Sequence, residues 1–408
     1  MKTEIGVWTT SPLDASLTNA GWLNDQSVPV NHVSARVIVR PTASGKGVRA
    51  VLSNEYGEEP LVISSLTVSK SLPRRGGRGI RKATMKQMTY LADEEIVIPP
   101  GEAILTDMVP FSFRALDHLA FTMYIKQMSN VRTIGLYGGQ SFLAAGNRTN
   151  HFKAFPRLPS MEYEGDTGKY AVVPILKTVN AVNSDAKESI LVIGDSTVTN
   201  DVPLKLAKKL RSKGYKLAVV QQAIKGNRML TDGQITDSKV GRLLGESVQH
   251  RFERDVLTIE GVKTVLLKIG MNDILHPHCE SLNGSVPVKS ADDLIRGFTD
   301  LITLAHKNGM EIYLLPLTPW KGYTRNVLGS GDDIAWTEEL DAVRKKVNSW
   351  MFSDLCPADG AIDLSALAKG DDPDCLIDDY TPDGIHFTDE GQEVMSEIIY
   401  HYLKQNVL

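Results

Sequence analysis

A serine hydroxyl attacks a carbonyl carbon only when a neighbouring base removes its proton. This chain offers Ser196 at the end of a short apolar run, Ser189-Ile190-Leu191-Val192-Ile193-Gly194-Asp195-Ser196. The base best suited to neutral pH is an imidazole, and His386 stands in Asp383-Gly384-Ile385-His386. Asp383, three residues earlier, can accept a hydrogen bond from the second ring nitrogen, fix its tautomer and stabilise the imidazolium. The oxyanion formed in acyl transfer needs hydrogen-bond donors. Candidates are the N–H of Ser196, the N–H of Gly226, where no side chain blocks approach, and the side-chain amide of Asn272. Taken singly, each segment is also what an ordinary turn is made of. Coincidence explains four of them in this order, at matching strand ends, poorly.

The elements that would position these groups follow from periodicity. Ile190 to Ile193 reads as a strand covered on both faces. Leu204, Ala207 and Leu210 then mark a helix, with Asp201 as its cap, Pro203 in its first turn and Gly214 at its stop. Ser196 therefore lies at a strand's carboxyl end ahead of a helix, the edge where open α/β sheets bind ligands. A nearby helix start adds unpaired N–H groups and a positive dipole end. Further strands are expected at Lys216–Gln221, Lys263–Ile269, Glu311–Pro316 and Gly360–Asp363. Helices are expected after Ser290, with a capping-box-like start and a stop at Gly309, after Thr337, and after Thr388. Alternating strands and helices imply a parallel sheet with right-handed crossovers. Ser196, Gly226 and Asn272 would meet on one edge of it. No Gly-x-Gly-x-x-Gly follows the first of these strands, which excludes a dinucleotide fingerprint.

The chain up to about residue 180 is different. Strands are expected at Ser34–Arg40, Gly47–Ser53, Leu61–Lys70, Lys82–Tyr90, Ala103–Asp107 and Leu119–Lys126, separated by Gly, Asn and Pro turns. Short strands with regular turn chemistry point to a β-sandwich. A last strand is expected at Ala171–Leu176 and a polar linker at Asn180–Lys187. This gives an accessory domain over 1–182 and an α/β domain over 183–408. The cluster Arg74, Arg75, Arg78, Arg81 and Lys82 reads as a solvated hairpin tip before an anion contact. Trp8 and Trp22 suit either sugar stacking or core packing.

The chain has 408 residues, 42% of them apolar and 23% charged, with a net charge of −4. That length suggests more than one domain, and the balance gives no reason to expect nucleic acid. No stretch approaches the ~20 apolar residues of a membrane span, and the N-terminus lacks the apolar core of a signal peptide. Three cysteines, Cys279, Cys356 and Cys375, fit a reducing compartment, so a cytoplasmic location is expected.

Together, the Gly-Asp-Ser around Ser196, Gly226, the Gly-x-Asn-Asp ending at Asp273 and the Asp-x-x-His ending at His386 resemble the four blocks of the GDSL family of serine hydrolases, the SGNH superfamily. The resemblance implies Ser196 as nucleophile, His386 as base and Asp383 as its partner. It implies an oxyanion hole of Ser196, Gly226 and Asn272, a flavodoxin-like three-layer α/β/α domain, and neither a metal nor an organic cofactor. The front half is similar to the jelly-roll-like β-sandwich that precedes the hydrolase in some two-domain bacterial members, through Val48 to Gly57. Ala223 stands where those relatives would be expected to carry glycine.

Asp195, Asn227 and Trp320 fall on the same edge and are candidates for a substrate pocket; Trp320 serves equally as a cover for the sheet. His276, His278 and Cys279 cluster after Asn272, without the second ligand group that a zinc site would show. The expected activity is a carboxyl-ester hydrolase working through an acyl-enzyme on a small-molecule or oligosaccharide ester, removing short acyl groups such as acetyl. Alternatives are a lysophospholipase or thioesterase, or a carbohydrate-binding protein with a vestigial hydrolase half. A homo-oligomer is compatible with all of them.

Overall fold

The computed structural model describes residues 4–15, 28–72, 78–136, 138–155, 162–165, 168–171, 173–199, 201–233, 244–279, 286–323 and 336–408. The chain divides into two compact units. Met1–Ser189 with Ile259–Gly261 forms one, and Ile190–Thr258 with Val262–Leu408 forms the other.

The first unit is built on two antiparallel sheets. Its main strands are β1 (Glu4–Thr9), β2 (Val33–Val39), β3 (Gly45–Ser53), β4 (Ser65–Leu72), β5 (Gly79–Ile80), β6 (Lys86–Met88), β7 (Ala103–Leu105), β8 (Val109–Phe113), β9 (Leu119–Ile125), β10 (Gly139–Ala145) and β11 (Leu176–Val182). One sheet runs β1-β11-β3-β7, with β8 also on β3; the other runs β10-β2-β9-β4-β5, with β6 also on β4. Val37 and Val68 flank Phe121 across the middle of the second sheet, and all three are fully buried. Arg36 is buried as well. It donates to Thr122 Oγ1 at 2.9 Å and to the carbonyls of Arg78 and His151, with its guanidinium 3.9 Å from the centre of the Phe155 ring. Each bond replaces one lost to water, the condition for burying a guanidinium.

Several sequence boundaries shift. The expected Lys82–Tyr90 strand begins as a 3-10 turn, Lys82–Thr84, before β6. Leu61–Lys70 splits at Ser64 into Leu61–Ile63 and β4. The expected last strand at Ala171–Leu176 is broken into the ends of Gly168–Ala171 and Val173–Pro174, and the last strand of the unit begins only at Leu176 and runs to Val182, so Asn180 to Val182 are strand and not linker; Asn180 Nδ2 donates to Glu4 Oε1 at 2.9 Å. Trp8 is buried, with Nε1 donating to the Gly138 carbonyl, so it packs and offers no stacking face. Trp22, Arg74 and Arg75 lie outside the described residues.

The second unit holds β12 (Ser189–Gly194) from Ile190 onward, β13 (Ala218–Ala223), β14 (Val262–Lys268), β15 (Glu311–Leu314) and β16 (Gly360–Ala361), ordered β13-β12-β14-β15-β16. The β14–β15 and β15–β16 pairings are parallel. Helices α1 (Val202–Ser212), α2 (Val248–Phe252), α3 (Met271–Leu275), α4 (Ala291–Lys307), α5 (Glu338–Met351) and α6 (Asp389–Asn406) lie between and after the strands. Every residue of β12 is buried. Ile190 and Val192 join a core with Val202, Leu206 and Leu210 of α1 and Met395, Ile399 and Leu403 of α6. Ser290 and Asp293 form the reciprocal capping box of α4; Thr337 and Thr388 cap α5 and α6. Asp201 occupies the cap position of α1, but its side chain makes no cap bond. Its N–H instead donates to Gln392 Oε1 of α6 at 3.0 Å.

Candidate active site

Three turns at the ends of adjacent strands build the site. After β12 the chain bends sharply. Asp195 Oδ1 accepts from the N–H and hydroxyl of Thr197 at 2.9 and 2.7 Å, and Val198 N–H returns to the Asp195 carbonyl. This Asx-type turn presents Ser196 partly exposed. Helix α1 starts only at Val202, so the Ser196 N–H belongs to this turn and not to a helix start. Gly194 makes the bend possible: a Cβ there would sit 2.1 Å from the Lys268 carbonyl oxygen on β14.

After β13, Ile224 N–H bonds the Gly194 carbonyl at 3.0 Å, tying this turn to the first. Gly226 has φ +72°, and a Cβ would meet Leu244 Cδ2 at 2.4 Å. After β14, Gly270 (φ +115°) turns the chain directly into α3, so the segment expected as a strand-ending turn is a short helix. Asn272 Nδ2 donates to the Asn227 carbonyl at 2.9 Å. One of its two amide N–H bonds is used there, which leaves the other for a ligand.

The histidine arrives from the loop before α6. His386 Nε2 stands 3.0 Å from Ser196 Oγ, and its Nδ1 is 2.7 Å from Asp383 Oδ2. Asp383 Oδ1 accepts the backbone N–H of Ile385 at 3.1 Å and of His386 at 2.9 Å. Burial alone would raise the Asp383 carboxyl. The hydrogen bond and charge of His386 and the two backbone donors outweigh it and hold the group well below the usual carboxylate range. Nδ1–H donating to an ionised Asp383 leaves the Nε2 lone pair aimed at Ser196 Oγ. That is the arrangement needed to take up the hydroxyl proton.

The structure thus joins Ser196, His386 and Asp383 in one hydrogen-bonded chain, and links Gly226 and Asn272 through Asn227. It does not place the three pocket candidates at a cleft. Asp195 is 1% exposed, Asn227 and Trp320 not at all. Asn227 is turned inward: Nδ2 donates to the Leu244 and Glu246 carbonyls, and Oδ1 accepts from Arg251. Trp320 is fully buried and presents no face to a cleft. His276 is buried with Nδ1 3.0 Å from Arg228 Nη1, whereas His278 is exposed, so the two histidines diverge. Burial and the Arg228 charge hold His276 well below its ordinary value, so it stays neutral.

Two further residues shape the site: Tyr323, which has no signature in the sequence, and Asp273, which ends the Gly-x-Asn-Asp block but is given no role there. Tyr323 sets its ring edge-on to His386, 6.5 Å between centres. The Asp383–His386 loop presses on the same segment: a Cβ on Gly384 (φ +90°) would lie 2.9 Å from Tyr323 N. Asp273 accepts from the N–H of Met229 at 2.7 Å and Leu230 at 3.0 Å, clamping the loop after Gly226. Burial raises its carboxyl to about 6 against those bonds.

With this geometry the family can be stated. Residues 139–399, more than half of the chain, match the model of the GDSL-like lipase/acylhydrolase family, and the chain belongs to that family. It is a carboxylic-ester hydrolase, a class whose substrates are small-molecule esters. No curated protein matches the sequence closely enough to count. Among solved structures it is similar to a GDSL-like lipase from Bacteroides thetaiotaomicron, at 14% identity and TM-score 0.38, covering 54% of this chain and 89% of that one. It is similar to an acetylxylan esterase from Geobacillus stearothermophilus, at 14% and 0.38, covering 55% and 95%. A further acetyl xylan esterase matches at 18% and 0.37, covering 53% and 99%. Among the described residues no helix is long and apolar enough to cross a membrane.

Proposed function

We propose that the chain cleaves carboxyl esters by a two-step acyl-enzyme mechanism with Ser196 as nucleophile. The observation that carries this reading is the chain Ser196 Oγ–His386 Nε2–Asp383, at 3.0 and 2.7 Å. As Oγ attacks the carbonyl carbon, its proton passes to Nε2. The Ser196 and Gly226 N–H groups and the second Asn272 amide N–H receive the oxyanion. The imidazolium returns its proton to the leaving alcohol, and a water activated by the same nitrogen then releases the acid.

The acyl group in this reading is short, acetyl above all, and the alcohol a saccharide. What supports a short chain is that α1, α4 and α6 each bury their apolar face, so none of them is left to serve as a lid. The strand order β13-β12-β14-β15-β16 supports a flavodoxin-like hydrolase domain, and the two antiparallel sheets support a jelly-roll-like β-sandwich as the accessory domain. We place the domain division near residues 182–183.

The test pairs Ser196→Ala with the wild type on p-nitrophenyl esters of rising chain length and on acetylated oligosaccharides. Turnover should vanish in the variant and, in the wild type, fall as the acyl chain lengthens. A fluorophosphonate probe should label Ser196 alone. Turnover retained by Ser196→Ala would remove the serine from the role, and a preference for long chains would overturn the substrate reading.

A further inference from the structure

Arg251, on α2, is fully buried, and so is Asp255, its ion-pair partner in the helical turn Glu253–Leu257 that follows. A guanidinium away from water must place its N–H groups on acceptors, so its partners define its task. Nη1 donates to the Gln222 carbonyl on β13 at 2.8 Å and to Asp255 Oδ2 at 3.1 Å. Nε and Nη2 both donate to Asn227 Oδ1, at 3.2 and 2.9 Å. One planar group therefore grips the chain on both sides of the turn at residues 224–227.

In that turn the Asn227 N–H bonds the Ile224 carbonyl at 3.1 Å, Lys225 has a negative φ and Gly226 has φ +72°. This is a type II turn. Its middle peptide, which carries the Gly226 N–H, is turned over relative to the type I form, so the direction of that donor depends on the turn keeping its shape. Asn227 holds the other donor too: its carbonyl accepts from Asn272 Nδ2 at 2.9 Å. The Asn227 side chain is fastened further by Nδ2, which donates to the Leu244 and Glu246 carbonyls, each at 2.8 Å. A shift of Asn227 therefore moves both donors.

We infer that Arg251 is a positioning residue for the oxyanion hole: by holding Asn227 Oδ1 and the Gln222 carbonyl in one rigid fork, it fixes the directions of the Gly226 N–H and the Asn272 amide. The inference rests on the reading of those two groups as oxyanion donors. It also accounts for a fully buried ion pair, which adds little net stability over apolar packing of the same volume; what the pair supplies here is a guanidinium locked in one plane. A lysine at 251 separates direction from charge. Its ammonium still faces Asp255, but as a point charge on a flexible stem it cannot reproduce the fork. Asp255 has a second cation in any case, Arg254, whose Nε donates to Oδ1 at 2.8 Å. The variant should therefore keep the fold and lose the alignment.

The experiment measures kcat and KM for p-nitrophenyl acetate, inhibition by methylboronic acid and thermal unfolding. The boron bonds to Ser196 Oγ and sets a hydroxyl where the oxyanion would lie, so its affinity reports the hole directly. The proteins are the wild type, Arg251→Lys, Asn227→Ala, the double variant of these two, Arg254→Gln and Asn272→Ala. Well below its melting temperature, Arg251→Lys should show kcat lower by about 10- to 100-fold with KM nearly unchanged, and boronate affinity weaker by a similar factor. The double variant should be about as slow as Asn227→Ala alone, because both changes act through one contact. Arg254→Gln removes an ion pair of Asp255 without touching Asn227 and should lower only the melting temperature. Wild-type kcat and boronate affinity in Arg251→Lys would overturn the inference. So would single losses that multiply in the double variant, or an equal kcat loss in Arg254→Gln. If Arg251→Lys does not fold, wild-type kcat in Asn227→Ala overturns it as well. A fully active Asn272→Ala would instead sink the oxyanion assignment, which separates the two failures.

Discussion

Replacing Asp383 by asparagine tests the hydrogen-bonded chain at its least exposed link. The carboxylate serves three donors: Oδ1 accepts the N–H groups of Ile385 and His386, and Oδ2 accepts from His386 Nδ1. An asparagine keeps a carbonyl oxygen for the two backbone donors, so the loop retains its shape. Its NH2 then faces Nδ1, and two donors cannot share that bond. The ring answers by moving its proton to Nε2, where it can donate to Ser196 Oγ but no longer accept from it. The expected loss in kcat is about 10⁴, equivalent to about 5 kcal/mol in the barrier. Losing a hydrogen bond to an ionised group costs about 1.5–3 kcal/mol of stability at neutral pH. The sign with pH follows from the lowered Asp383 value. Its stabilisation is complete above the ordinary aspartate value of about 3.9 and fades as pH falls toward the folded value. The variant should therefore lose less stability on acidification than the wild type. Stopped assays with p-nitrophenyl acetate give the rate, and melting curves at several pH values give the linkage. Activity within tenfold of wild type, in a folded variant, would refute the assigned tautomer and with it the role of Asp383.

Asn272→Ala removes a side-chain donor whose other N–H is anchored on the Asn227 carbonyl; kcat should fall by ~10²–10³ with little change in KM, read from steady-state kinetics. Gly194→Ala drives a methyl to 2.1 Å from the Lys268 carbonyl and 2.8 Å from Val198. Such overpacking should cost about 1–3 kcal/mol, seen as a melting temperature lower by several degrees, and should misplace Ser196 enough to reduce labelling by a fluorophosphonate.

The parts that sequence patterns reveal are those set by local rules. Ile190 to Ile193 reads as a two-face-buried strand because nothing polar interrupts it, and β12 is buried throughout. The caps at Ser290, Thr337 and Thr388 are legible because capping is a contact over three residues. What escapes is polarity satisfied at long range. Asn227 looks available to a substrate until Leu244, Glu246 and Arg251 take all its atoms. Lys268 reads as one polar position in a Val- and Leu-rich strand; it is fully buried, with Nζ 3.4 Å from Thr318 Oγ1, fifty positions away, which no period reports. Trp320 could have faced either way, since an aromatic after a strand suits a pocket wall and a sheet cover alike. Asn180 shows the same limit in the first unit: a polar residue belongs to a strand because Glu4 accepts its amide.

Ser196 and His386 are 190 positions apart, and the loop bearing the histidine leads directly into α6. Helix α6 is fastened to α1 by Lys205 on Asp389 and Glu393, by Lys209 on Glu397, and by Gln392 under Asp201. During translation Ser196, the proposed nucleophile, emerges long before His386, its proposed base. In this reading a nascent or prematurely terminated chain that stops short of residue 386 carries an inert alcohol, and ester cleavage begins only once α6 has docked.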